Sequence, residues 1–138
     1  MSRFPTGAWA LSFALALSGC PASDGPERAE AAAVSRAIDA LRAAENPKKP
    51  DLLQALRESP CTFSDICAVR SACIAAYELH VRALGAVGDA TKLVDAGDAA
   101  KAAEILSSAE AELKQASQLA DGCTSAQGDM QRRYRVTQ

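Results

Sequence analysis

Five cysteines and a single histidine are the residues of this chain whose types could carry sulfur, metal or proton chemistry. Cys20 stands apart, at the end of an N-terminal apolar run; Cys61, Cys67, Cys73 and Cys123 lie in the body of the chain. Zinc sites favour paired ligands about two to four residues apart. Here five residues separate Cys61 from Cys67, five more separate Cys67 from Cys73, and a long gap precedes Cys123. The Cys-x-x-Cys spacing of thiol redox enzymes is absent. An even set of four cysteines instead reads as two disulfides formed in an oxidising compartment. No metal ligand set and no cofactor site is expected.

His80 borders an apolar helical stripe, and such a position reads as a packed or half-exposed interface histidine before it reads as a catalyst. A nucleophile needs a base and an orienting group beside it, and Ser71, Ser107 and Ser108 sit in no motif that supplies them. Glu110 and Lys114 form an i,i+4 pair, the pattern of a solvated helix face. No Gly-rich phosphate loop, calcium loop or HExxH motif occurs. No catalytic residues are assigned, and a non-enzymatic role is expected.

The leader carries the sharpest signal. Arg3 supplies a short positive segment, and GAWALSFALAL, Gly7 to Leu17, is an apolar run of 11 residues. A membrane span needs about 20 such residues. The run closes on Leu17-Ser18-Gly19-Cys20, which resembles a bacterial lipobox. That resemblance covers residues 1–20 only. It implies a thioether-linked diacylglycerol on Cys20, cleavage before Cys20, and acylation of the new amine. Residues 1–19 are then a lipoprotein signal peptide and residues 20–26 a lipidated cysteine with a short tether. The four remaining cysteines and the Ala-rich helices are similar in general type to small lipoproteins of Gram-negative bacteria. By the same analogy Pro21, where a retention signal would carry Asp, implies sorting to the outer membrane. The expected location is the cell envelope, with the membrane as partner through the anchor and an envelope protein as a further one.

Loss of residues 1–19 removes only Arg3 from 15 basic residues and none of the 17 acidic ones. The remainder is mildly acidic, which argues against nucleic-acid binding. Arg132, Arg133 and Arg135 form the one dense basic cluster, read first as a helix-end or solvated tail and second as a contact for anionic headgroups. Alanine, the best helix former, dominates, and strand-like alternation is missing. The fold class is all-α.

These residues must be positioned by a few helices in one domain, residues 27–135, with a frayed tail at 136–138. A first helix is predicted from Glu27 to Glu45, capped by Ser23 or Asp24, with Ala31, Val34, Ile38 and Leu41 facing inward. Asn46-Pro47-Lys48-Lys49-Pro50 breaks it. A short helix over residues 51–58 buries Leu52, Leu53 and Leu56. A long helix starts near Thr62 or Ser64 and runs through Gly85 and Gly88 to Asp95. Its predicted stripe includes Ile66, Val69, Cys73, Ile74, Tyr77, Val81, Leu84, Val87, Thr91 and Val94. Gly97 and Asp98 make a helix-to-helix turn. The next helix carries a coiled-coil-like seam of Ala102, Leu106, Ala109, Leu113, Ala116 and Ala120, expected to face the long helix, and is predicted to stop at Asp121-Gly122. Residues 124–135 form at most one more short helix.

An antiparallel hairpin turning near residue 97 sets Cys123 opposite Arg70, about equally far from Cys67 and Cys73. Cys61, in the loop before the long helix, is within reach of its first two turns, whereas reaching Cys73 means covering about 15 Å of helix from its start. The favoured pairing is Cys61–Cys67 with Cys73–Cys123, over Cys61–Cys73 with Cys67–Cys123. The expected whole is a disulfide-stapled helical bundle built on a long αα-hairpin. Its expected role is structural, adaptor or accessory. The rival reading is a binding module with an apolar slot between helices, which the close-packed alanine seam opposes.

Overall fold

A computed structural model describes residues 25–137, and these fold as four α-helices with no strand among them. The expected signal peptide, Cys20 and most of the expected tether lie outside the described residues, as do Ser23 and Asp24. The first helix, α1, spans Pro26–Ala43, with Pro26 in its first turn, Gly25 as its N-cap and Arg42 in its last turn. It ends two residues before the predicted Glu45. Ala44 is extended, and the segment Asn46–Lys48 forms one turn of 3-10 helix.

The second helix, α2, is Lys49–Glu58. Pro50 was expected in the linker but lies within the first turn, where a missing N–H costs no intrahelical bond. Leu53 and Leu56 are buried and Leu52 is half-buried. The third helix, α3, runs Ser64–Asp95 without interruption at Gly85 or Gly88. With 32 residues it is about 48 Å long. Gly97 takes φ 85°, the left-handed turn conformation, and Asp98 caps α4 by accepting the Lys101 N–H at 3.2 Å.

The fourth helix, α4, spans Ala99–Tyr134 and corrects the predicted stop at Asp121-Gly122. A glycine inside a helix costs about 1 kcal/mol. The heptad positions beyond it outweigh that cost, because Cys123, Gln127 and Met130 are all buried. Arg135, in the left-handed conformation at φ 53°, ends the helix.

Both disulfides join the favoured partners. Cys61–Cys67 fastens the α2–α3 loop to the first turns of α3, with Cα atoms 5.3 Å apart. Cys73–Cys123 ties α3 to α4 across the open end of the hairpin, with Cα atoms 4.8 Å apart. Around this second bridge lies the core. Ala31, Val34, Ile38 and Leu41 of α1, with Leu53 and Leu56 of α2, pack on Ile66, Val69, Cys73, Cys123 and Met130.

The hairpin seam differs from the predicted one in detail. Its buried residues are alanines spaced by seven, Ala76, Ala83 and Ala90 on α3 and Ala102, Ala109 and Ala116 on α4. Small side chains bring the two axes together, and the larger residues expected to fill the seam are displaced to its edges. Leu106 is 43% exposed, Val87 38% and Val94 54%, while Leu84 and Leu113 are half-buried. The core therefore occupies the disulfide end of the hairpin, and the turn end projects as a two-helix arm.

Candidate functional site

Charged residues inside a small helical protein are natural suspects for function, and two of them are almost fully buried: Glu30 and Lys49, at 8% and 7% exposure. Both serve helix ends. The Lys49 ammonium donates to the carbonyls of Leu41 at 3.1 Å and Arg42 at 3.5 Å, which lie at the C-terminus of α1 and lack an intrahelical partner. A cation there also complements the helix dipole. It lies 5.9 Å from the Tyr77 ring centroid, within cation–π range. The Glu30 carboxylate accepts the N–H groups of Thr62 at 2.7 Å and Phe63 at 3.0 Å, at the entry to α3. The cap residue of α3 is Phe63, whose side chain makes no capping bond, so Glu30 of α1 supplies an acceptor at this helix start. Arg70 does the same for the end of α2, donating from Nη1 to the carbonyls of Ser59 and Arg57. Sequence spacing hides these caps because each side chain serves the end of a helix other than its own.

Ligand atoms of Glu30, Cys61 and Cys67 lie within 4.8 Å of one another. Both sulfurs belong to a disulfide and the carboxylate holds two backbone N–H groups, so the cluster is a fastening of α1 to the start of α3.

A second polar cluster joins α1 to the far end of α4. The Gln127 amide, buried at 3% exposure, donates to Asp39 Oδ1 at 2.9 Å, Ser35 Oγ at 3.1 Å and the Ser35 carbonyl at 3.3 Å. It accepts from Arg42 Nη2 at 2.7 Å, and Gln131 donates to Ser35 Oγ at 2.7 Å. The cluster borders a surface groove of about 560 Å³ lined by Ser35, Arg36, Asp39, Arg42, Val136 and Thr137. Val136 is partly buried against the core and its N–H bonds to the Gln131 carbonyl at 3.0 Å, so the expected fraying does not hold at this residue. Arg36, Asp39 and Arg42 place charged side chains along this groove.

The basic cluster resolves into individual roles. Asp65 Oδ2 accepts Arg133 Nη1 at 2.7 Å and the Tyr134 hydroxyl at 2.7 Å, pinning the end of α4 to the start of α3. Arg132 pairs with Asp129 within α4. Arg135 forms the C-terminal cap. Here the reading as a helix end accounts for the arginines.

His80 is half-exposed, as expected of an interface histidine. It lines a shallow apolar groove of about 290 Å³ with Tyr77, Leu113, Ala116 and Ala120 on the arm side of the core. Burial and the nearby Lys49 charge push its pKa down. Ser117 also lines that groove, and no carboxylate lines it to orient the imidazole.

These groups fix the acid response. Asp65 is held below the ordinary carboxylate range by the Tyr134 hydroxyl first, against desolvation, with help from Arg133. For Glu30 desolvation acts upward, and the Phe63 and Thr62 N–H groups with the Arg70 charge outweigh it, leaving the carboxyl lowered. His80 is also lowered. A group whose pKa is depressed by folding stabilises above its unfolded pKa and loses that contribution as pH falls through the folded value. Stability should therefore start to drop below about pH 6.5 as unfolded His80 gains its proton, and drop further below about pH 4 as the carboxylates do. Urea midpoints measured from pH 8 to pH 3 should decline across this range. In Asp65→Asn and Glu30→Gln variants the step below pH 4 should shrink; an unchanged step would show that other groups cause it.

No helix among the described residues is long and apolar enough to cross a membrane. Comparison of the chain with protein-family models, with curated proteins and with solved structures finds no match in any of the three.

Proposed function

We infer that the protein is a lipid-anchored lipoprotein of the cell envelope with a structural or adaptor role. The observation that carries this reading is the pair of disulfides, each joining cysteines of the folded domain. Stable disulfides belong to oxidising compartments, and the lipobox-like segment ending at Cys20 supplies both the export route and the anchor. Helix α1 begins at Pro26, six residues after Cys20. Six residues reach at most about 20 Å, so the core end of the rod sits close to the membrane surface. The polar clusters inside the domain are committed to helix caps and interhelical ties, which supports a scaffold over an enzyme. The outer membrane of a Gram-negative bacterium is the proposed location, with the acyl groups on Cys20 as the attachment.

Metabolic labelling with an alkyne fatty acid tests the anchor. The wild-type chain should carry the label and sediment with membranes. Cys20→Ser should lose the label and move to the soluble fraction. An unlabelled, soluble wild type would overturn the anchored reading. A measured affinity of the wild-type chain for small apolar molecules at the Tyr77–His80 groove would favour the binding-module alternative.

A further inference from the structure

The two bridges differ in how a reductant reaches them. Cys73 and Cys123 are enclosed at 0% and 1% exposure, so attack on their sulfurs requires the core to open. Cys61 and Cys67 are half-buried, and neither belongs to the core around the other bridge. Cys67 sits at the start of α3, where the helix N-terminus favours a thiolate. Opening Cys61–Cys67 disturbs no core residue and leaves Cys73–Cys123 closed.

A third ligand stands beside the exposed pair. The Glu30 carboxylate and the two sulfurs offer ligand atoms within 4.8 Å of one another, although Glu30 belongs to α1. The N–H groups of Thr62 and Phe63 both donate to Glu30 Oε1. They hold the carboxylate beside the sulfurs, which is the kind of support that orients a metal ligand. A carboxylate also has acceptor sites beyond the two they use. Tetrahedral zinc keeps thiolate and carboxylate ligand atoms about 3.5–3.8 Å apart. Rotation of the two cysteine side chains, once unbonded, provides that separation. Spacing along the chain conceals the arrangement, because five residues part the cysteines and the third ligand comes from another helix.

We propose that Cys61 and Cys67, once reduced, join Glu30 as a zinc site at the entry to α3. The reductant is a dithiol. One of its thiolates attacks a sulfur of the bridge, the S–S bond breaks, and its second thiol resolves the mixed disulfide. Two electrons pass to the cysteine pair, and the dithiol leaves as a disulfide. Zinc then binds the cysteines as thiolates and their two protons are released. Two thiolates and a carboxylate exceed the zinc charge by one, and the Arg70 guanidinium, which acts on Glu30 through space, offsets the remainder. Solvent supplies the fourth ligand. The joint between α1 and α3 thus exchanges a covalent fastening for a metal one. This goes beyond the scaffold reading and does not depend on the anchor.

The test uses the purified full-length Cys20→Ser chain, in which the four bridged cysteines are the only ones. Dithiothreitol, followed by timed alkylation and peptide mass spectrometry, should open Cys61–Cys67 at least tenfold faster than Cys73–Cys123. Freed of reductant without air, this chain should bind one zinc ion, read by competition with a chromogenic chelator. The oxidised chain should bind it at least tenfold more weakly. Cobalt in place of zinc should give thiolate-to-metal charge-transfer absorption. Glu30→Gln should weaken zinc binding at least tenfold, with circular dichroism checking that the helices remain. The cobalt spectrum of the unaltered site reports the thiolates independently of that variant. Cys61→Ala with Cys67→Ala should abolish binding. Equal opening rates for the two bridges, no zinc taken up by the selectively reduced chain, no charge-transfer band, or unchanged affinity in either variant would overturn the proposal. Membrane attachment plays no part in these measurements, so their failure leaves the anchored reading standing.

Discussion

Replacing Cys73 and Cys123 together by alanine should lower stability by roughly 4 kcal/mol, and the thermal midpoint by about 15 °C. The bridge joins residues 50 apart in sequence, so it removes a large loop from the unfolded ensemble. Both cysteines are buried, at 0% and 1% exposure, in the middle of the core. The contrast with the other bridge is the sharper part of the expectation. Cys61 and Cys67 are only six residues apart, and the same chain-entropy argument gives about 2 kcal/mol for their removal. Thermal melts of the two double-alanine variants, followed by circular dichroism, decide the matter. Equal midpoints for the two would show that loop closure does not set the contribution of these bridges.

Ile38→Ala should cost about 2–5 kcal/mol, and Leu106→Ala less than about 1 kcal/mol. Ile38 is fully enclosed by the residues around the Cys73–Cys123 bridge, so truncation leaves a cavity as well as losing apolar burial. Leu106 is 43% exposed, and trimming it mostly removes surface already in water. The helical periodicity of the sequence treats the two alike, since each sits at a regular apolar position. Urea denaturation of both variants separates them. A loss above 2 kcal/mol for Leu106→Ala would mean that the leucine packs into the hairpin seam after all.

That contrast marks how far the sequence could be read. Helix type and order were legible, because alanine content and the spacing of Ala31, Val34, Ile38 and Leu41 leave no strand pattern to compete. The turn at Gly97-Asp98 was legible from residue chemistry alone. The end of α4 was not. Asp121-Gly122 is a sound local stop signal, and it is overridden because Cys123, Gln127 and Met130 beyond it find partners on α1 and α3. The helix caps were hidden for a related reason. Glu30, Lys49 and Arg70 look like surface charges in sequence, and each serves the terminus of a helix other than its own.

The sequence by itself determined the all-α class, the even set of four cysteines and the hairpin between α3 and α4, and it favoured the pairing that the structure shows. These rest on local propensity, helical period and the reach of the chain, which are properties of neighbouring residues. Only the tertiary structure decided which apolar residues form the hairpin seam. Heptad spacing marks alanines and leucines equally as facing the partner helix. Once the Cys73–Cys123 bridge and the alanines fix the two axes close together, the space between them admits Ala83, Ala90, Ala102 and Ala109 and displaces Val87 and Leu106 to the edge. Packing density sets that outcome, since a side chain enters a seam only where the distance between the backbones leaves room for it.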